Sequence, residues 1–269
     1  MALLGLPVGG STSVEDLVAA FRECFASMIA FGSSLSEDDW NQPSLCPGWR
    51  AKDALVHVTA AETAFFSWTD HSAGPFEAIK AEGRLLRDRS GADILAAFES
   101  VTSRRIAQLE TMPASELDAV GWLAGGTGPY RRYMEIRVFD HWAHEQDIRV
   151  PLGQPGHLEG RAASISLDEV HLVFGYLVGK RAATPDGASV TLRVTGPQAR
   201  DLHAVVQGRA RVVTELTDPT ATVETDFLTA MLLACGRIDP SGPLGDGRIT
   251  LRGDLVLAER VARNLAFTL

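Results

Sequence analysis

Arg137-Val-Phe-Asp-His-Trp-Ala-His-Glu-Gln-Asp-Ile-Arg149 packs two imidazoles and three carboxylates into one short stretch. Read as a helix, it brings Asp140 and His144 to one face, one turn apart, within about 40° of each other at roughly 100° per residue. A carboxylate and an imidazole so placed can share one metal ion. His141 is turned by about 100° from Asp140 and does not serve the same ion easily. A rival i,i+4 pair, His141 with Glu145, lies on another face. Far upstream, Asp53-Ala-Leu-Val-His57-Val-Thr-Ala-Ala-Glu62 supplies a third donor, His57. Two helices giving His, Asp and His leave coordination positions open, the mark of a catalytic rather than a structural metal. The alternative reading is that Asp140 and His144 form an ordinary helix-stabilising pair and that His57 is a satisfied, half-buried histidine. Local spacing leaves both readings open.

Length and composition bound the choices. The 269 residues suit one large domain or two ordinary ones, and 45% hydrophobic with 22% charged residues can build a core. A net charge of -9 argues against general nucleic-acid binding, while leaving room for a local basic pocket. Cys24, Cys46 and Cys235 are odd in number and form no CxxC, as expected of a reducing, cytoplasmic setting. Met1 to Gly10 lacks a charged n-region and a cleavage site, and no apolar run of about 18 residues occurs, so neither a signal peptide nor a membrane span is expected.

Periodicity then places the elements. Ser13 is an N-cap for a helix carried by Leu17, Phe21, Cys24, Phe25 and Met28 and ending near Gly32 or Ser34. Ser36 to Trp49, with Pro43, Pro47 and Gly48, is predicted as loop. Helices are expected over about Lys52 to Thr69, Ala92 to Thr111, and Pro129 to just before Pro151, with a glycine-rich loop from Gly121 to Pro129. Four amphipathic helices joined by loops read as a bundle. Pro151-Leu-Gly-Gln-Pro-Gly156 breaks the composition, which divides the chain into residues 1–150 and 151–269. The second part is predicted as a helix from Gly160 to Ala183, then strands at Ser189–Thr195, Leu202–Gln207, Arg211–Leu216 and Arg248–Arg252, with helices at Asp226–Cys235 and Asp254–Phe267. The fold class is α+β: a four-helix bundle followed by a small α+β domain.

Two motifs carry a resemblance. Trp40-Asn-Gln-Pro-Ser-Leu-Cys-Pro-Gly-Trp49, followed by Asp53-Ala-Leu-Val-His57, resembles the opening motif of the mycothiol-dependent maleylpyruvate isomerase family, within the DinB-like metalloenzyme superfamily. Asp140-His-Trp-Ala-His144-Glu-Gln-Asp147-Ile-Arg149 is similar to its second motif. Cys235-Gly-Arg237 and Leu251-Arg-Gly-Asp254 resemble its sterol-carrier-protein-like C-terminal domain. The resemblance implies an actinobacterial enzyme whose metal ligands are His57, Asp140 and His144. It implies a divalent metal, zinc foremost, and mycothiol as cosubstrate. The partners would be that thiol and an electrophilic small molecule, in S-transfer, thiol exchange or cis–trans isomerisation. Arg237 would bind the polar thiol or a substrate carboxylate. One departure is that the carboxylate of the isomerases is Glu, one methylene longer than Asp140. A metal hydrolase and a non-catalytic metal-binding module are the competing classes.

Other residues read less sharply. Cys46 sits in an apolar setting and is expected to be a small buried hydrophobe. Asp147 and Glu145 either support an imidazole or lie on a solvated face. The Gly121–Gly128 loop lacks the GK[ST] ending of a phosphate-binding loop.

Overall fold

The structure, a computed structural model, describes residues 12–123 and 126–268. The reading of Met1 to Gly10 falls outside those residues. The chain folds as two compact units, with the division between Ser166 and Leu167.

The first unit is helical. Its elements are α1 (Val14–Gly32), α2 (Glu37–Trp40), α3 (Ala51–Phe65), α4 (Phe76–Leu86), α5 (Gly91–Thr111), α6 (Ala114–Leu117), a hairpin of β1 (Val120–Leu123) and β2 (Gly126–Pro129), and α7 (Tyr130–Arg149). The long helix α8 (Gly160–Tyr176) spans the division. The four long helices of the expected bundle pack together, α1 and α3 each against both α5 and α7. Ser13 caps α1 as predicted, accepting from the Asp16 N–H, and Leu17, Phe21, Cys24, Phe25 and Met28 are buried.

The departures have local causes. The predicted loop from Ser36 contains α2, because Ser36 and Asp39 form a reciprocal capping box. Helix α3 stops at Phe65, short of Thr69. The region after Asp70, for which periodicity gives no clear element, holds α4. The predicted glycine-rich loop is largely the β1–β2 hairpin, with Gly121 opposite Gly128. The Trp122 N–H donates to the His71 carbonyl at 2.7 Å, which ties the hairpin down.

Helix α7 controls this unit. Periodicity describes it as amphipathic, but nearly every residue from Arg132 to Ile148 is buried, among them Arg137, His141, His144, Glu145 and Asp147. Burying so many polar groups is tolerable only if each finds a partner inside the fold. At the centre of that pairing is Glu62 of α3, 1% exposed. It accepts from Arg105 of α5 at 2.8 Å, Arg137 of α7 at 3.2 Å and His141 at 2.9 Å. His141 thus pairs with Glu62 rather than with Glu145. Glu145 instead accepts from Ser27, Arg149 and His157.

In the second unit, α8 runs into a π-helical turn, Leu177–Arg181. A five-stranded sheet follows, built from β3 (Ser189–Thr195), β4 (Arg200–Gln207), β5 (Arg209–Val213), β6 (Ala221–Asp226) and β7 (Ile249–Gly253) in the order β5-β4-β3-β6-β7. Helix α9 (Phe227–Ala234) follows β6, the short α10 (Ser241–Gly245) precedes β7, and α11 (Leu255–Ala262) follows it. Strand β6 has no counterpart among the sequence expectations. Its Thr222, Glu224 and Thr225 hide the apolar signal, although it lies inside the sheet, parallel to β3. The main sheet is confined to the second unit and the bundle to the first, as the α+β class requires.

One contact in the first unit tolerates no added atom. Gly91, the first residue of α5, abuts the indole of Trp40, and a Cβ built there would lie 2.1 Å from the ring. Trp40 is itself 1% exposed and held by α2. Gly91→Ala should therefore destabilise the protein by about 2–3 kcal/mol through overpacking, read as a lowered thermal midpoint. An unchanged midpoint would show that the α2–α5 contact yields freely.

Candidate metal centre

Three features bring the predicted donors together. Helix α3 begins at Ala51, where Asp53 accepts from the Arg50 N–H at 2.9 Å, and this start places His57 two turns along. Helix α7 presents Asp140 and His144 one turn apart. The two helices pack directly against one another. His57 Nε2 lies 3.5 Å from Asp140 Oδ2, and His144 Nε2 lies 3.6 Å from Asp140 Oδ1. One donor atom from each residue lies within 4.8 Å of the others, a spacing that fits two imidazole nitrogens and a carboxylate oxygen around one divalent ion. Asp140 keeps 27% of its side chain exposed, so the cluster opens toward solvent.

The loop between α2 and α3 closes one wall. Pro43 and Arg50 form an antiparallel bridge, and the Leu45 N–H donates to the Asp147 carbonyl at 3.0 Å, which pins the loop to α7. Trp49 is thereby held with its indole stacked on the His144 ring at 5.8 Å and 5.5 Å from the His57 ring. Beside His57, a cavity of about 800 Å³ opens between α3 and α4, with Val56, Ala60, Gly83, Arg84 and Arg87 among its lining residues.

A second row of groups supports the first. His144 Nδ1 donates to Asp147 Oδ2 at 2.9 Å, which turns Nε2 toward Asp140. Asp147 thus supports an imidazole and does not lie on a solvated face. Cys46 departs from its expected apolar setting. Its thiol donates to the same Asp147 oxygen at 3.0 Å and lies 3.8 Å from His144 Nδ1. Cys46, His144 and Asp147 are a second trio of possible metal donors. The hydrogen bonds among them already satisfy a carboxylate–imidazole relay.

Electrostatics separate the three donors. Burial disfavours the Asp140 charge, but Arg137, His144 and His57 outweigh it and hold the carboxyl well below the usual range. Burial lowers the His57 pKa, so its imidazole is neutral near pH 7. Burial also acts to lower that of His144, but Asp140 and the bonds to Asp147 and Cys46 push it up to about 10.

Sequence reasoning gives Arg137, Arg105, Glu62 and Trp49 no part in the site. A signal for Glu62 is present: it is a lone carboxylate in the apolar run Thr59-Ala-Ala-Glu-Thr-Ala-Phe-Phe66. Arg237, predicted to bind the thiol, lies in the second unit just after α9, where its guanidinium donates to the Cys235 carbonyl at 3.0 Å.

Comparison with known proteins adds to this geometry. The mycothiol maleylpyruvate isomerase N-terminal domain model matches residues 21–149, and the corresponding C-terminal domain model matches residues 164–260. A crystal structure of a mycothiol-dependent maleylpyruvate isomerase is similar at a TM-score of 0.59 and 14% identity, covering 90% of this chain and 93% of that one. A histidine-to-alanine mutant of the mycothiol-dependent maleylpyruvate isomerase is similar at a TM-score of 0.59 and 15% identity, with the same coverage. At such identities the likeness carries the fold. No curated protein matches the sequence. With two domain models matched in order over most of its length, the chain belongs to the mycothiol maleylpyruvate isomerase family.

Proposed function

We propose that this protein is a metal-dependent enzyme that uses mycothiol as cosubstrate, with His57, Asp140 and His144 holding one divalent ion, zinc foremost. The observation that carries the reading is the convergence of those three donors within 4.8 Å in a chain of this family. A divalent ion bound there favours the thiolate form of a thiol, whose pKa when free is about 8.5. The protein's own residues then bind and orient. Trp49 supplies a flat wall beside the two imidazoles, and Asp147 fixes the direction of His144. The cavity between α3 and α4 gives the second substrate room, and Arg84 and Arg87 suit an anionic group on it. Arg237 is assigned to the thiol or to a substrate carboxylate on the family resemblance alone.

No side chain needs to act as nucleophile. Addition of the thiolate to a conjugated double bond, rotation about the resulting single bond and loss of the thiolate give cis–trans isomerisation. Retention of the sulfur gives S-transfer, and displacement of another group gives thiol exchange. S-transfer or exchange is favoured slightly, because Asp140 replaces the longer Glu of the isomerases. Three buried thiols without a disulfide among the described residues support a cytoplasmic location. No described helix is long and apolar enough to cross a membrane.

Metal content and turnover test the reading. Alanine at His57, Asp140 or His144 should sharply reduce bound metal by elemental analysis, and full occupancy in all three variants overturns the assignment. Turnover of an electrophile should require the thiol, stop on chelation and return with added metal. Full activity in chelator would overturn metal activation, and hydrolysis of an ester or amide without any thiol would favour the hydrolase reading instead.

Proton release gives a second measure. In the metal-free protein Asp140 is ionised, His57 neutral and His144 cationic near pH 7. Metal uptake must expel the His144 proton, so about one proton should be released per ion at pH 7.5. Affinity should then rise by about tenfold per pH unit below pH 10. Calorimetry in buffers of different ionisation enthalpy counts that proton. Uptake with no proton release would overturn this charge assignment for His144.

A further inference from the structure

The carboxylate that completes the donor set is not free to serve a metal alone. Arg137, one turn before Asp140 on α7, donates from Nη1 to Asp140 Oδ2 at 2.5 Å. The same guanidinium donates from Nη2 to Glu62 Oε1 at 3.2 Å, and Glu62 in turn accepts from Arg105 at 2.8 Å. Arg137, Glu62 and Arg105 are 5%, 1% and 1% exposed. Both guanidinium groups lie over the Phe65 ring, 5.2 Å from its centre. Two cations and two anions therefore alternate from the middle of the helical unit to the donor cluster, and the row ends at Asp140.

The row has two physical consequences. A carboxylate with one oxygen engaged by a guanidinium is held in one orientation, which matters for a side chain as short as Asp. Its negative charge is also offset by a cation that water does not screen, because Arg137 is buried. Arg137 cannot shed its proton to relieve the repulsion of a nearby metal ion.

We propose that Arg137 is a positioning residue of the metal centre. Its guanidinium, backed by Glu62 and Arg105, holds the Asp140 carboxylate in one orientation and sets a fixed positive charge against the bound ion, which keeps that ion more electrophilic than two imidazoles and an unpaired carboxylate would. This rests on the metal reading above. It assigns Arg137 a cost in metal affinity, which a residue that only braced the fold would not have.

The signs of two substitutions make the test. Arg137→Met removes the opposing cation. Zinc should then bind on the order of tenfold tighter, measured by competition with a chromophoric chelator. Glu62→Gln leaves the cation in place but removes an anion, so zinc should bind on the order of tenfold more weakly. Arg137→Lys keeps the charge and should return affinity toward the parent value. Weaker zinc binding in both Arg137 variants, or unchanged binding in Arg137→Met and Glu62→Gln, overturns the proposal. Should Arg137→Met fail to fold, Arg137→Gln, which is neutral but keeps a hydrogen-bond donor for the carboxylates, decides it: zinc binding no tighter than the parent's overturns the proposal. A parent protein that binds no zinc would remove the metal reading itself, a result separable from the variant series.

Discussion

The pairing of Glu62 with two arginines and a histidine is the constraint on which the helical unit rests. Helix α7 carries too many charged and polar groups to pack as a conventional amphipathic helix, yet it lies between α1 and α3 with almost all its side chains inside. Desolvating a guanidinium or a carboxylate costs several kcal/mol unless a partner takes its place. Burial disfavours the Glu62 charge, but Arg105, His141 and Arg137 together hold its carboxyl well below the usual range. One carboxylate on α3 thereby locks α5 and α7 at a common depth. That depth sets the height at which His57 and His144 meet.

From this follows the layering of the site. Asp140 stands where the buried network reaches solvent, so it belongs both to the fold and to the donor set. The loop from Pro43 to Arg50 is fastened to α7 through the Asp147 backbone, while the Asp147 side chain orients His144. A short segment of α7 thus supplies two donors, the support for one of them, and the anchor for the wall beside both. Such overlap explains why the segment is dense in charged residues: each has a partner that lies far away in sequence.

The legible parts of the sequence are those set by local spacing. Asp140 and His144 share a face in any helix, and Ser13 with its apolar repeat defines α1. His57 can be named as third donor, but only the packing of α3 on α7 brings it to Asp140. The Glu62 network is not legible because periodicity separates apolar from polar faces and treats charge as a mark of the outside. In α7 that inference fails, and the pairing of His141 with Glu145 fails for the same reason. Cys46 shows the converse error. Its sequence neighbours are apolar, but its neighbours in space are a carboxylate and an imidazole. Strand β6 escapes notice because threonines, not aliphatic residues, fill much of it.

Trp49 makes the donor cluster optically visible. Its indole lies nearly parallel to the His144 imidazole, with an interplanar angle of 16°, and is 36% exposed beside His57. An excited indole gives up energy readily to a protonated imidazole in van der Waals range and to open-shell metal ions. Of the chain's five tryptophans, Trp49 is thus an intrinsic fluorophore set against both imidazoles of the donor cluster. Changes at the donor cluster can be followed by light emission in the unlabelled chain, on the timescale of mixing and without any coupled reaction.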